Sequence, residues 1–227
     1  MRAVLVFVML MISTDAARVT ASRQRPEHDA AVTIQLHDYE HLPGDRLLRA
    51  SDIVTRIYAQ AGIRVEWLAV LRQDTRRTRT GADPQARDAR VAQFTIIIMK
   101  REMAERGRIP ADVLGYAAVP PGGGMGRIAY VIYDRIRQIA ATGPAREIEL
   151  LGFVIAHETG HLLLGRGSGT QTGLMKCHWD RRSAQQLDPL KLGFSELQAV
   201  HIHNRLISPA PALAATGDPA TPDAGLR

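Results

Sequence analysis

Residues 146–165, REIELLGFVIAHETGHLLLG, decide how the rest of this chain is read. The segment is apolar around most of its circumference, which is the composition of a helix enclosed within a domain. Pro144, just upstream, suits a first helical turn, where its missing N–H costs nothing, and Gly165 can end the helix. Inside this apolar frame stand His157, Glu158 and His161. Residues four apart project from one helix face one turn apart, so the two imidazoles are placed to share a metal ion. Histidines that merely decorated a helix surface would need an exposed face, and Ile155, Ala156, Leu162, Leu163 and Leu164 leave little of one.

The chemistry follows from the residue types. Zinc prefers imidazole nitrogen in a tetrahedral set, and a catalytic site keeps one position open. A carboxylate beside the zinc-activated water accepts its proton as the water attacks a carbonyl, so Glu158 reads as general base and the reaction as metal-assisted hydrolysis of an amide. Glu158 as an ordinary surface charge is disfavoured by its place between two histidines on an apolar helix.

Working outward from this helix, VTIQLHDY from Val32 alternates apolar and polar residues as a half-buried strand does. Residues 45–61 carry Leu47, Leu48, Ile53, Val54, Ile57 and Tyr58 at helical spacing, and Gly62 stops that helix before IRVEWL begins a second strand. FTIIIMK, residues 94–100, is a continuous apolar run suited to an inner strand. Residues 114–118 and 128–133 read as two further strands around a Pro and Gly turn region at 120–126. The glycines there lack the Lys followed by Ser or Thr of a phosphate loop, so they read as a turn.

With 227 residues, 45% of them hydrophobic, the chain can bury one respectable core. Arg2 followed by an apolar run to Ile12 and then small residues has the layout of a signal peptide, residues 1–21, with cleavage between Ala16 and Ser22. The domain would then occupy 22–207. The Ala, Pro and Gly rich stretch 208–227 reads as a disordered tail. The expected product is secreted, periplasmic or extracellular, with no membrane anchor in the mature chain. Cys177 is the sole cysteine, which excludes an intramolecular disulfide scaffold.

The net charge of +6 is concentrated in an arginine-rich stretch, Arg72, Arg76, Arg77, Arg79, Arg87 and Arg90. It has no interleaved aromatics and sits among Thr, Asp, Gly and Pro, so it reads as a solvated loop and not as a nucleic-acid site.

HETGHLLLG, together with GLM at 173–175, resembles the metzincin clan of zinc peptidases, in particular small matrixin-like catalytic domains, over residues 32–207. The resemblance implies an α+β, zincin-like domain: a mixed, mostly parallel twisted sheet packed on an active-site helix, with a methionine turn and a closing C-terminal helix. It implies Zn2+ held by His157 and His161, Glu158 as general base and acid, Gly165 as the turn after the helix and Met175 beneath the metal. It also implies an edge strand above the cleft, from residues 114–118 or 128–133, that pairs with extended substrate. The closing helix would start at Ser195, with Leu197, Val200 and Ile202 as packing residues.

The sequence departs from the family at one point. The third histidine ligand should fall between the glycine and the methionine turn, but that interval is RGSGTQT, with Gly167 or Gly169 in its place. His178, three residues past Met175, is the chosen substitute. Asp180, Glu196, His201 and His203 are alternatives, Cys177 reads better as a small buried thiol, and His28, His37 and His41 have no ligand spacing.

The expected function is a secreted zinc-dependent endopeptidase acting on a peptide or protein substrate. The opposed expectation is a catalytically impaired zincin-like domain that binds peptide or metal without cleavage, and a third is an anionic-polymer binder using the arginine stretch. Oligomeric state is left open by the sequence.

Overall fold

Alternation of apolar side chains places Val32, Ile34 and Leu36 on one face of β1 (Ala31–Asp38), and Phe94, Ile96 and Ile98 on the same face of β3 (Ala92–Met99). Between them in sequence come α1 (Gly44–Gln60) and β2 (Arg64–Arg72). The helix buries Leu47, Ala50, Ile53, Val54, Ile57 and Tyr58, and the chain turns at Gly62 with φ of 71°. After β3 follow α2 (Arg101–Arg106), β4 (Gly115–Ala118), β5 (Ile128–Ile132), α3 (Tyr133–Ala140), α4 (Pro144–Leu164) and α5 (Glu196–Ile207). This computed structural model describes residues 30–72, 91–140, 144–177 and 191–207. The expected signal peptide and tail, most of the arginine-rich stretch, His178 and Asp180 lie outside the described residues.

The five strands form one sheet in the order β2-β1-β3-β5-β4. The pairs β1–β2, β1–β3 and β3–β5 are parallel, while β4 runs antiparallel to β5 and occupies one edge. The fold is therefore mixed α/β with a mostly parallel sheet. One face of that sheet packs on α1 and α4 through Val32, Ile34, Leu36, Phe94, Ile96, Ile98, Ala117, Ala129 and Val131. On the other face, Met99 and Ile132 meet Ala104 of α2 and Val113 in a smaller apolar cluster.

The helix that carries the histidines runs through the middle of the larger cluster. Every residue from Leu150 to Leu163 is buried, in keeping with its apolar circumference. Gly165, with φ of 89°, ends the helix and donates its N–H to the His161 carbonyl at 2.9 Å. Among the described residues no helix is long and apolar enough to cross a membrane.

Three elements differ from expectation, the first being α5, where Ile202 is buried but Leu197 and Val200, expected to pack, are exposed. The strand expected over 128–133 stops at Ile132, and Tyr133 opens α3, where Asp134 in the first turn accepts from Arg101, Arg137 and Gln138. The short helix α2 was not anticipated either. Helices of six and eight residues are too short to be stable by propensity, and tertiary contacts hold them.

One buried hydroxyl helps tie α1 to α4, beside their apolar packing and the Arg46–Glu147 ion pair. Tyr58, fully buried, donates to the carbonyl of Ala156 at 3.0 Å, one residue before His157. Tyr58→Phe keeps the ring and deletes this bond, so urea unfolding should show a loss of about 1 kcal/mol with an unchanged m-value.

Candidate metal centre

His157 and His161 face each other on consecutive turns of α4, with their Nε2 atoms 3.0 Å apart. The ring planes are nearly perpendicular, at 78°, with centroids 4.7 Å apart. Both residues are buried, and Glu158 between them is fully enclosed. Two imidazole nitrogens sharing a tetrahedral zinc stand about 3.3 Å apart, so a slight opening of this pair accommodates the ion.

The outward nitrogens are held. Nδ1 of His157 lies 2.7 Å from the carbonyl of Leu174 and must carry the proton to bond it, which leaves the Nε2 lone pair turned toward His161. Nδ1 of His161 lies 2.9 Å from the hydroxyl of Ser168, which can either accept from it or donate to it. Anchoring the second ring nitrogen in this way orients a histidine for metal binding. Burial, and then the neighbouring His161, push the His157 imidazole down from 6.5 to about 3, so it stays neutral and able to donate its lone pair across the physiological range.

The carbonyl that orients His157 belongs to a tightly tied turn. Leu174 and Met175 are fully buried; Leu174 N–H bonds Gly193 O at 3.1 Å, and Thr170 N–H bonds Met175 O at 2.7 Å. The Met175 thioether lies against Gly160, where a β-carbon would stand only 2.5 Å from the sulfur. Met175 thus packs against the helix at Gly160, between the two histidines in sequence.

Above the helix, β4 crosses Glu158. A β-carbon at Gly115 would stand 2.9 Å from Cγ of Glu158 and 3.0 Å from its Oε1. Only glycine lets the edge strand pass this close to the carboxylate. Of the two segments expected to form the edge, Gly115–Ala118 does so, while Ile128–Ile132 lies inside the sheet between β3 and β4.

The structure thus brings His157, Glu158, His161 and Met175 together. His178, the substitute third ligand, lies outside the described residues, as does Asp180. Among the described residues no group of three His, Cys, Asp or Glu side chains is placed to hold a metal, so Cys177, Glu196, His201 and His203 do not complete the pair. Glu196 and His201 are exposed on α5, and His203 bonds the Ala61 carbonyl through Nε2 at 2.8 Å. Sequence reasoning missed Ser168. Its only advance signal is a hydroxyl seven residues beyond His161 in a stretch otherwise lacking donors of zinc-ligand type.

No family model matches this chain, and no curated protein matches it. Among solved structures, an archaemetzincin from Methanopyrus kandleri is similar at 15% sequence identity and a TM-score of 0.46, over 80% of this chain and 98% of that one.

Two outcomes follow from this geometry. A group whose imidazole falls from 6.5 to about 3 on folding contributes stability that is present above pH 6.5 and lost as pH falls toward 3. Metal-free protein should therefore lose about 1 kcal/mol per pH unit between roughly pH 6.5 and 5, above the range where carboxylates titrate, in urea melts taken across that window. His157→Gln should flatten the slope. Ser168→Ala, which removes the partner of His161 Nδ1, should weaken zinc affinity by about 10- to 100-fold in a competition titration with a chromogenic chelator.

Proposed function

We propose that this chain is a zinc-dependent metallopeptidase of zincin-like architecture that hydrolyses peptide bonds, exported from the cell and acting in the periplasm or outside it. The observation that carries this reading is the pair of buried imidazoles whose Nε2 atoms converge while their Nδ1 atoms are tied to Leu174 and Ser168. Such a pair, its outer nitrogens already occupied, turns its two inner nitrogens toward a single point where an ion can be shared.

His157 and His161 would hold the ion, with His178 as the third ligand. When bound, zinc supplies Lewis acidity toward a scissile carbonyl. The remaining work falls to the chain itself. Glu158 accepts the proton of the attacking water and returns it to the departing amine. Substrate lies extended along the free edge of β4, where main-chain hydrogen bonds align it over the carboxylate. Met175 supports the helix from below and keeps the two rings at a fixed separation.

A second reading has one specific observation behind it. The interval 166–172, which the family resemblance would have supply a ligand, instead turns Ser168 toward Nδ1 of His161, on the far side of the ring from His157. A domain built in this way could bind zinc or peptide without cleaving.

Glu158→Gln separates the two. If the chain is a peptidase, this variant retains about one zinc per chain by atomic absorption and loses turnover of a casein-derived peptide by about a thousandfold or more. His157→Ala should lose the zinc as well. A parent protein that binds zinc fully and cleaves no peptide at any concentration sinks the catalytic reading in favour of binding alone.

A further inference from the structure

Strand β4 has only four residues, a single pairing neighbour and small side chains, Gly115, Ala117 and Ala118, at three of its positions. Pairing with β5 alone gives such a strand little to resist fraying. Yet it passes within contact distance of Glu158, where a shift of an ångström changes the geometry of the site.

Ala117 packs on α4 and Tyr116 stacks on Tyr130, and two arginines add a hold at the strand's two ends. The chain entering β4 is gripped by Arg135 of α3, whose Nη1 donates to the carbonyls of Pro110 and Val113 at 2.5 and 2.6 Å, and whose Nη2 donates to Ile109 at 3.0 Å. The chain leaving β4 is gripped by Arg205 of α5, whose Nη2 donates to Gly123 at 2.6 Å and whose Nη1 donates to Leu163 of α4 at 2.8 Å. Arg205 therefore bridges the loop after β4 directly to the last turn of the helix that carries the histidines. Its charge at that C-terminus is favoured by the helix dipole as well.

Both arginines donate to several carbonyls in a fixed fork, which a lysine cannot reproduce. Neither sits in the sheet, and neither touches the histidines in the interactions described above. We propose that Arg135 and Arg205 are positioning residues that hold β4 at a set height over Glu158 by pinning the loops at its two ends. The clamp itself stands on the hydrogen bonds, and only its effect on substrate capture rests on the peptidase reading.

The test uses the full chain loaded with zinc, comparing the parent with Arg135→Met, Arg205→Met, Arg135→Lys and, as a surface control, Arg49→Met. Amide hydrogen exchange is followed by mass spectrometry in peptides covering 114–118, and KM and kcat are measured on an unstructured casein-derived peptide. Exchange in β4 is expected to quicken about tenfold or more in each methionine variant, with β1 and β3 unchanged. Arg135→Lys should recover only part of the protection, and Arg49→Met should match the parent. Zinc content should hold, and KM should rise while kcat stays within about threefold.

Exchange in β4 as slow as in the control overturns the clamp, and so does a rise spread equally over β1 and β3, which would make the arginines general supports of the fold. If a methionine variant fails to fold, Arg135→Lys reads the same strand. Faster exchange with an unmoved KM removes the role in substrate capture. A parent without turnover counts against the peptidase reading alone, since exchange still decides the clamp.

Discussion

The structure depends on the cost of placing two imidazoles and a carboxylate at the centre of an apolar core. His157, Glu158 and His161 are enclosed on the same helix that buries Leu150, Leu151, Phe153, Val154, Leu162 and Leu163. Polar groups withdrawn from water must find partners inside, and the two histidines find them in the turns that follow α4. A main-chain carbonyl takes the proton of His157 Nδ1, a serine hydroxyl meets His161 Nδ1, and the two remaining ring nitrogens are left facing each other. Burial keeps His157 neutral, so the lone pair that faces His161 is not lost to a proton.

Once that arrangement is fixed, the surrounding elements have little freedom. The turn that carries Leu174 must sit where its carbonyl reaches His157, and Met175, the next residue, then falls beneath Gly160. Tyr58 of α1 reaches the Ala156 carbonyl from the other side, so the helix is registered from two directions within two residues of the first histidine. The edge strand lies above, with a glycine where it crosses the carboxylate. Sheet, turn and helices act as a jig for three side chains on α4.

Much of this was legible in local pattern. The alternation from Val32, the isoleucine run of β3, the helical spacing that ends at Gly62 and the apolar frame of α4 each correspond to an element of the structure within a few residues. These segments bury a face with its own period, so their sequence records their environment. The short helix α2 buries Ala104 alone and carries no such record, while α3 buries Tyr133, Ile136 and Ala140 at helical spacing over a stretch too short for that period to stand out from the strand before it. The choice of edge strand was also beyond local reading. Both candidates look extended, and pairing alone puts the more apolar Ile128–Ile132 inside and the glycine- and alanine-rich Gly115–Ala118 outside. His157, Glu158 and His161 were readable because helical periodicity converts a spacing of four directly into proximity, whereas Ser168 depends on how the chain turns after Gly165.

That turn bears on the character of the site. A ligand supplied from the interval 166–172 would have to approach the Nε2 side of His161, where His157 already stands. Instead, Gly165 and Gly167, both at positive φ, swing the chain so that Ser168 arrives behind the ring, at Nδ1. A hydroxyl there is versatile: it accepts from Nδ1–H when Nε2 must offer a lone pair, and donates to Nδ1 when Nε2 carries the proton toward His157. The same geometry therefore satisfies the buried pair in two protonation patterns, one suited to an ion between the rings and one to a hydrogen bond between them.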